Sequence, residues 1–237
     1  MNIFQRNLYI LGGIVGSFAI ASLFLNSLVP AKAINTELLN TEPKATQTST
    51  AAIPNINQKG TMTAVFAGGC FWGTEAVFEH LKGVSNVVSG YSGGSAATAN
   101  YETVGSGRTG HAESIRITYD PSQISYEKLL EIYFYVAHDP TQLNRQGPDR
   151  GTQYRSAIFF ANGEQQKIAA AYIERLNQTK SFSKPVVTQL VPLEHFYVAE
   201  DYHQDFIVRN PTYPYVVAHD LPKLAQLKKQ FPEIYKE

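Results

Sequence analysis

The chain has one cysteine, Cys70, in 237 residues. A single thiol excludes an intramolecular disulfide and a zinc cage built from several thiolates. The six histidines, at positions 80, 111, 138, 195, 203 and 219, have no ligand spacing, so no metal site is expected. Charge of one sign is also missing: 20 basic residues cancel 20 acidic ones. A sequence with pI near 7.0 has no broad basic face for nucleic acid. No internal repeat is visible after Thr61. What remains is 43% apolar residues, enough to build a core, and 14 tyrosines, several outside any periodic segment.

The N-terminus reads as separate from the fold. Arg6 provides a positive start, Leu8 to Val29 runs without a charge, and Ala31-Lys32-Ala33 places small residues where a signal peptidase reads. Residues 1–33 are therefore expected to be a signal peptide, or an N-terminal anchor held by residues 8–29, since the run approaches the length of a membrane span. Either outcome places the protein outside the cytosol or on a membrane. Residues 34–60, rich in Thr, Asn, Gln, Ser, Ala and Pro, form the expected disordered linker. The domain is expected to span 61–237.

Within it, Thr63–Ala67 reads as a strand and Phe71–Leu81 as a helix. Val84–Tyr91 alternates as a strand, Ser92–Gly110 is a Gly- and Ser-rich loop, and Ala112–Tyr119 alternates again until Asp120-Pro121. Ser125 caps a helix that ends at His138-Asp139-Pro140. Thr141–Thr152 is polar loop, Tyr154–Phe160 strand, Gly163–Leu176 helix and Val186–Leu190 strand. Tyr202–Val208 and Leu221–Gln230 close the chain as helices. The order β-α-β-β-α-β predicts an α+β fold: a ferredoxin-like split β-α-β sandwich with long loops and a C-terminal helical extension. The loops near 92–110 and 141–153 are expected to converge on the strand–helix junction at Cys70.

That junction, Gly68-Gly69-Cys70-Phe71-Trp72-Gly73-Thr74-Glu75, carries the chemistry. A thiol at a helix start faces unpaired N–H groups and the positive end of the helix dipole, both of which favour the thiolate. The plainer alternative is a buried cysteine acting as a small hydrophobe. The paired glycines and flanking aromatics favour the reactive reading.

Together with Gly90-Tyr91-Ser92-Gly93-Gly94, Thr109-Gly110-His111-Ala112-Glu113, His138-Asp139-Pro140 and Gly151-Thr152-Gln153-Tyr154-Arg155-Ser156, the junction resembles peptide methionine sulfoxide reductase, type A. The resemblance runs from about Thr63 to at least Phe206. It implies reduction of the S epimer of methionine sulfoxide, free or in proteins. It places the nucleophile on Cys70, the acid on Glu113, two tyrosine donors on Tyr101 and Tyr154, a supporting aspartate on Asp149, and pocket aromatics on Phe71 and Trp72. Tyr215 persists from the family's C-terminal motif and joins the substrate-binding set.

These residues suit the reaction. Attack at the sulfoxide sulfur needs a thiolate. The oxygen must gain a proton, which a carboxyl group with a raised pKa can give. Glu113 sits among apolar strand neighbours, where burial raises its pKa. Phenols can orient the oxygen, and indole and phenyl walls can hold the S-methyl group. By pattern alone each also reads as ordinary: an exposed strand carboxylate, half-buried tyrosines, core aromatics, a loop aspartate. Only their joint occurrence with Cys70 favours the site. His111 and His203 read as structural; a cysteine hydrolase would need one of them as base. A non-enzymatic module binding a methionine-like side chain is the other rival.

Many family members carry a resolving cysteine after an Asn-Pro-x-Gly-Tyr motif. Here Asn210-Pro211-Thr212-Tyr213-Pro214-Tyr215 is followed by Val216. No bound cofactor is implied; the reductant is expected to be an external thiol, thioredoxin or glutathione with glutaredoxin, acting on a sulfenylated Cys70. Oxidised proteins and free methionine sulfoxide are the other expected partners, and a monomer the expected state.

Overall fold

A computed structural model of the chain describes residues 60–237. The signal-like segment and nearly all of the linker lie outside the described residues. Among those described, no helix is long and apolar enough to cross a membrane.

The chain runs β1 (Met62–Gly68), α1 (Phe71–Glu79), β2 (Val84–Ser92), α2 (Tyr101–Gly105), β3 (Ala112–Tyr119) and α3 (Tyr126–Ile132). A wider helical turn over Tyr133–Ala137 follows, then β4 (Arg145–Gln146), β5 (Asp149–Arg150), β6 (Ser156–Phe160) and α4 (Gly163–Gln178). The C-terminal part holds β7 (Gln189–Pro192), β8 (Phe196–Val198), α5 (Phe206–Arg209) and α6 (Leu221–Gln230). Six strands form one sheet in the order β7-β6-β1-β3-β2-β8, while β4 and β5 pair as a separate small hairpin. The middle four strands are the split β-α-β arrangement expected from the sequence. They are antiparallel throughout, and β7 adds in parallel beside β6.

Both faces of β1 are buried, and its alternation sorts the residues. Ala64 and Phe66 join the main core with Phe78 of α1, Ile115 and Ile117 of β3, Leu129 of α3, Ile158 of β6 and Ala169 of α4. Val65 and Ala67 face the other way, with Ala112, Ala157 and Phe159, under Val191, Leu193 and Phe196. Each of the Val, Leu, Ile and Phe side chains among them contributes about 1.5–3 kcal/mol when fully buried. The sheet thus has helices on one side and the β7–β8 segment on the other.

Differences from the sequence reading are local. The loop 92–110 contains α2, whose first turn is held by the Asn100 side chain accepting from Thr103 N at 3.0 Å. The loop 141–152 contains the β4–β5 hairpin. Tyr154 lies in a short helical turn, Thr152–Tyr154, and the strand begins at Ser156. The strand expected at Val186–Leu190 is shifted to Gln189–Pro192. The helix expected at Tyr202–Val208 is split into a tight turn, Asp201–His203, and α5. The chain's last residues return to the far end of α1: Leu81 bridges to Tyr235, and Lys236 N donates to His80 O at 2.9 Å.

Candidate active site

Gly69 has φ +95°, a left-handed turn in which a side chain would collide with Gln146. This turn swings Cys70 from the end of β1 to the start of α1, where Cys70 is the N-cap residue. The freed amides of the first turn are then divided. Phe71 N donates to Glu113 Oε2 at 3.1 Å, and the Trp72 amide favours the anionic form of the Cys70 sulfur without a formed cap hydrogen bond. Glu113 is the second residue of β3, across from Tyr91 of β2.

One cavity of about 190 Å³ opens beside this turn, lined by Cys70, Phe71, Trp72, Tyr101, Glu113, Asp149, Tyr154, Tyr213 and Tyr215. It brings together every site residue predicted from the sequence. Cys70 is partly exposed to it. Phe71 and Glu113 are buried at 1% and 3% exposure, and Tyr101 stands at the rim at 37%. The Tyr215 hydroxyl donates to Asp149 Oδ2. The Trp72 indole stacks on Phe206, centroids 3.6 Å apart, and meets Tyr213 and Tyr215 edge-on. The wall is therefore aromatic and the floor carries a sulfur and a carboxyl group.

Burial pushes the Glu113 carboxyl up to about 8, with the Asp149 charge adding to it and the Phe71 amide opposing. At neutral pH Glu113 is mostly a neutral acid and can give a proton. Burial, followed by the Glu113 charge, holds the Tyr101 and Tyr154 phenols above their ordinary values, so both remain hydroxyl donors. Tyr215 is pushed up as well, by burial and then by Cys70.

Cys70 corrects an expectation. Its thiol lies well above the usual range, raised by burial first, then by Glu113 and Asp220. The Trp72 amide and Lys223 pull the other way and do not win. The helix start is present as predicted, but the sulfur at rest is a thiol. Asp220 comes from a distant part of the chain, where local spacing gives no warning of it; Glu113 was expected at the site as the acid, not as a group that raises the thiol.

A fold of this order with a sulfur, a neutral carboxyl and phenols around one aromatic cavity can be compared with known proteins. The family model for peptide methionine sulfoxide reductase matches residues 62–235. The chain belongs to this family. It is 60% identical over 178 residues to a relative named peptide methionine sulfoxide reductase MsrA 2 from Mesorhizobium japonicum, covering 75% of this chain and 91% of that one. It is 57% identical over 175 residues to a protein of the same name from Synechocystis, covering 74% and 82%. Among solved structures, reduced Mxr1 from Saccharomyces cerevisiae aligns with TM-score 0.61 at 31% identity, over 67% of this chain and 90% of that one. Methionine sulfoxide reductase A of Corynebacterium diphtheriae aligns with TM-score 0.57 at 35% identity, over 66% and 78%. The protein is an oxidoreductase of the methionine sulfoxide reductase A type.

No histidine lines the reductase cavity. His111 is buried and shares a hydrogen with Ser95 O at 3.0 Å. His203 lies behind Trp72, whose indole N–H donates to His203 Nδ1 at 3.0 Å. Among the described residues no cluster of three His, Cys, Asp or Glu side chains is arranged to hold a metal.

Three residues of the reductase site escaped the sequence reading. Tyr213 lines the cavity from a proline-flanked segment without periodicity. Glu200 accepts from the Tyr91 hydroxyl at 2.8 Å and from Tyr101 N at 2.9 Å, fixing the start of α2 and with it the rim tyrosine. Arg155 donates to the carbonyls of Gly110 and His111 and to Thr152 O, at 2.9 to 3.0 Å. It ties the segment entering β3 to the turn carrying Tyr154. The Arg155 position was visible within its motif, but its role depends on a contact between remote loops.

Proposed function

We propose that the reductase acts on the S epimer of methionine sulfoxide, free or in proteins, with Cys70 as nucleophile and Glu113 as acid. The observation that carries this reading is the neutral carboxyl of Glu113 and the sulfur of Cys70 in one aromatic-walled cavity. The sulfoxide oxygen takes the place facing Glu113, Tyr101 and Tyr154, and the S-methyl group rests against Phe71 and Trp72. Tyr215, held by Asp149, closes the pocket.

The Cys70 sulfur, having lost its proton, forms a bond to the substrate sulfur, and Glu113 gives its proton to the oxygen. The hydroxyl passes to Cys70 as methionine leaves, so the substrate sulfur is reduced and Cys70 is oxidised to a sulfenic acid. An external thiol then attacks Cys70; hydroxide departs as water with a proton, leaving a mixed disulfide. A second thiol releases Cys70 and carries away the oxidising equivalent as a disulfide. Val216 and the lone cysteine leave no internal route. Thioredoxin, or glutathione with glutaredoxin, fits this need, and no bound cofactor is required. The enzyme works as a monomer, exported or held at a membrane by residues 8–29, in the repair of oxidised proteins.

The test is turnover of the two separated epimers with dithiothreitol, thioredoxin or glutathione with glutaredoxin as reductant. Turnover of the S epimer alone is expected, with Cys70 sulfenylated after one cycle without thiol. Equal turnover of both epimers, or sustained turnover without thiol, contradicts the reading. Fractionation of cells expressing the full chain tests the location, and a purely cytosolic distribution counts against it.

A further inference from the structure

Asp220 and Lys223 do not line the cavity. They stand instead against the first turn of α1: a side chain built at Gly73 would collide with Asp220 Oδ1 and Lys223 Nζ. Asp220 has no exposed surface. Its Oδ1 accepts from Lys223 Nζ at 3.3 Å, and its Oδ2 has no partner among the described residues. Lys223 is 19% exposed and also borders a neighbouring groove with His138, Gln146 and Gln226.

Three acids therefore crowd one helix start. Glu113 takes the Phe71 amide and Asp220 takes the Lys223 ammonium, while the Cys70 sulfur stands at the cap position without a hydrogen bond of its own. Lys223 is the one cation among the groups that act on the Cys70 sulfur. Asp220 is paired with Lys223 and also feels the charges of His219 and Asp149, while the Tyr101, Tyr154 and Tyr215 phenols line the cavity with Cys70. Close charges in a poorly solvated site interact strongly, so ionisation of one of the three acids opposes ionisation of the others. Burial raises Asp220, and Lys223 is the largest influence against it.

We propose that Asp220 and Lys223 are positioning residues for Cys70: seated on the helix turn that Cys70 begins, Asp220 keeps the sulfur protonated at rest and Lys223 keeps the thiolate within reach. The pair deepens the reductase reading, because a resting thiolate is the form that oxidants attack and this chain has no second cysteine to rescue it. Substrate binding and loss of the Cys70 proton to solvent then decide when the sulfur becomes anionic, while Glu113 keeps the proton it gives to the oxygen.

The test uses no sulfoxide, so its failure is distinguishable from failure of the reductase reading. Cys70 is the only cysteine, and iodoacetamide alkylation of the full chain followed by mass reports its ionisation directly. The rate is measured from pH 6 to pH 11. Asp220→Asn is expected to lower the alkylation midpoint by about one pH unit, and Lys223→Met to raise it by about one. Asp220→Asn/Lys223→Met should fall between the two, and Lys223→Arg should keep the parent midpoint. A purely structural pair would not move the midpoint in opposite directions. Unchanged midpoints, or shifts of the same sign, overturn the proposal. If Asp220→Asn does not fold, Lys223→Met and Lys223→Arg decide: an unmoved midpoint in Lys223→Met overturns it.

Discussion

The Phe71 backbone N–H donates to Glu113 Oε2 at 3.1 Å, so the residue next to the nucleophile grips the acid. The bond joins the α1 turn to β3 and keeps the carboxyl group at the sulfur whatever its protonation. An amide side chain can accept the same bond but cannot give a proton. Glu113→Gln is therefore expected to retain the fold and to lose about 10²- to 10⁴-fold in kcat. A variant with near-parental kcat would remove Glu113 from the acid role.

The protonation states predict a bell-shaped pH dependence. Glu113 titrates at about 8 and Cys70 well above the ordinary thiol range. Near pH 7 both carry protons, whereas the reactive arrangement, thiolate with neutral acid, carries one. kcat/KM should rise from pH 6 through about 8 and fall once the second proton leaves. In Glu113→Gln the falling limb should vanish and the residual rate should follow the thiol alone. A parental profile that declines steadily from pH 6 to 8 contradicts this.

The indole of Trp72 has Phe206 behind it at 3.6 Å and His203 on its N–H. Trp72→Ala removes a cavity wall and should lower kcat/KM about 10- to 100-fold, chiefly through KM. His203→Phe breaks one hydrogen bond outside the cavity and should cost no more than about tenfold. Complete loss of turnover in His203→Phe, with Trp72 fluorescence unchanged, would point to an imidazole base.

A second group of carboxyls links stability to pH. Glu75 is buried, accepting from Ser89 N and Asp205 N. Burial, then Glu79, pushes it up to about 8, and burial, then Asp205, pushes Glu79 up to about 7. Both ionise near 4.5 when unfolded, so the folded chain holds these protons more tightly. Their stabilisation is complete below about pH 4.5 and is lost as pH rises through 7 to 8. The melting temperature should fall by at least about 5 °C between pH 5 and pH 9. Glu75→Gln should flatten that slope; an upward trend over this range would refute the assignment.

Regular alternation made β1, β2 and β3 legible, because one period places each side chain on a definite face. Ser125 announced α3 through a cap that the structure contains, its hydroxyl accepting from Lys128 N at 3.1 Å. β8 has three residues and pairs only with Gly90–Ser92, too short a span to leave a pattern. α2 was hidden by the Gly- and Ser-rich composition around it, although Asn100 and Thr103 carried its capping signal. In the site, residue types were legible and protonation was not. Cys70 is surrounded by Glu113, Asp220 and Lys223, and that surrounding exists only once the sheet and the C-terminal helix have formed.

The return of Leu81 to Tyr235 and of His80 to Lys236 has a bearing on how the enzyme is made. The helix that begins at Cys70 is pinned at its start by residues near 220 and at its end by residues near 235. Until residues 220 to 236 have packed against it, that helix has neither anchor. The surroundings of the sulfur are thus complete only when this segment is in place.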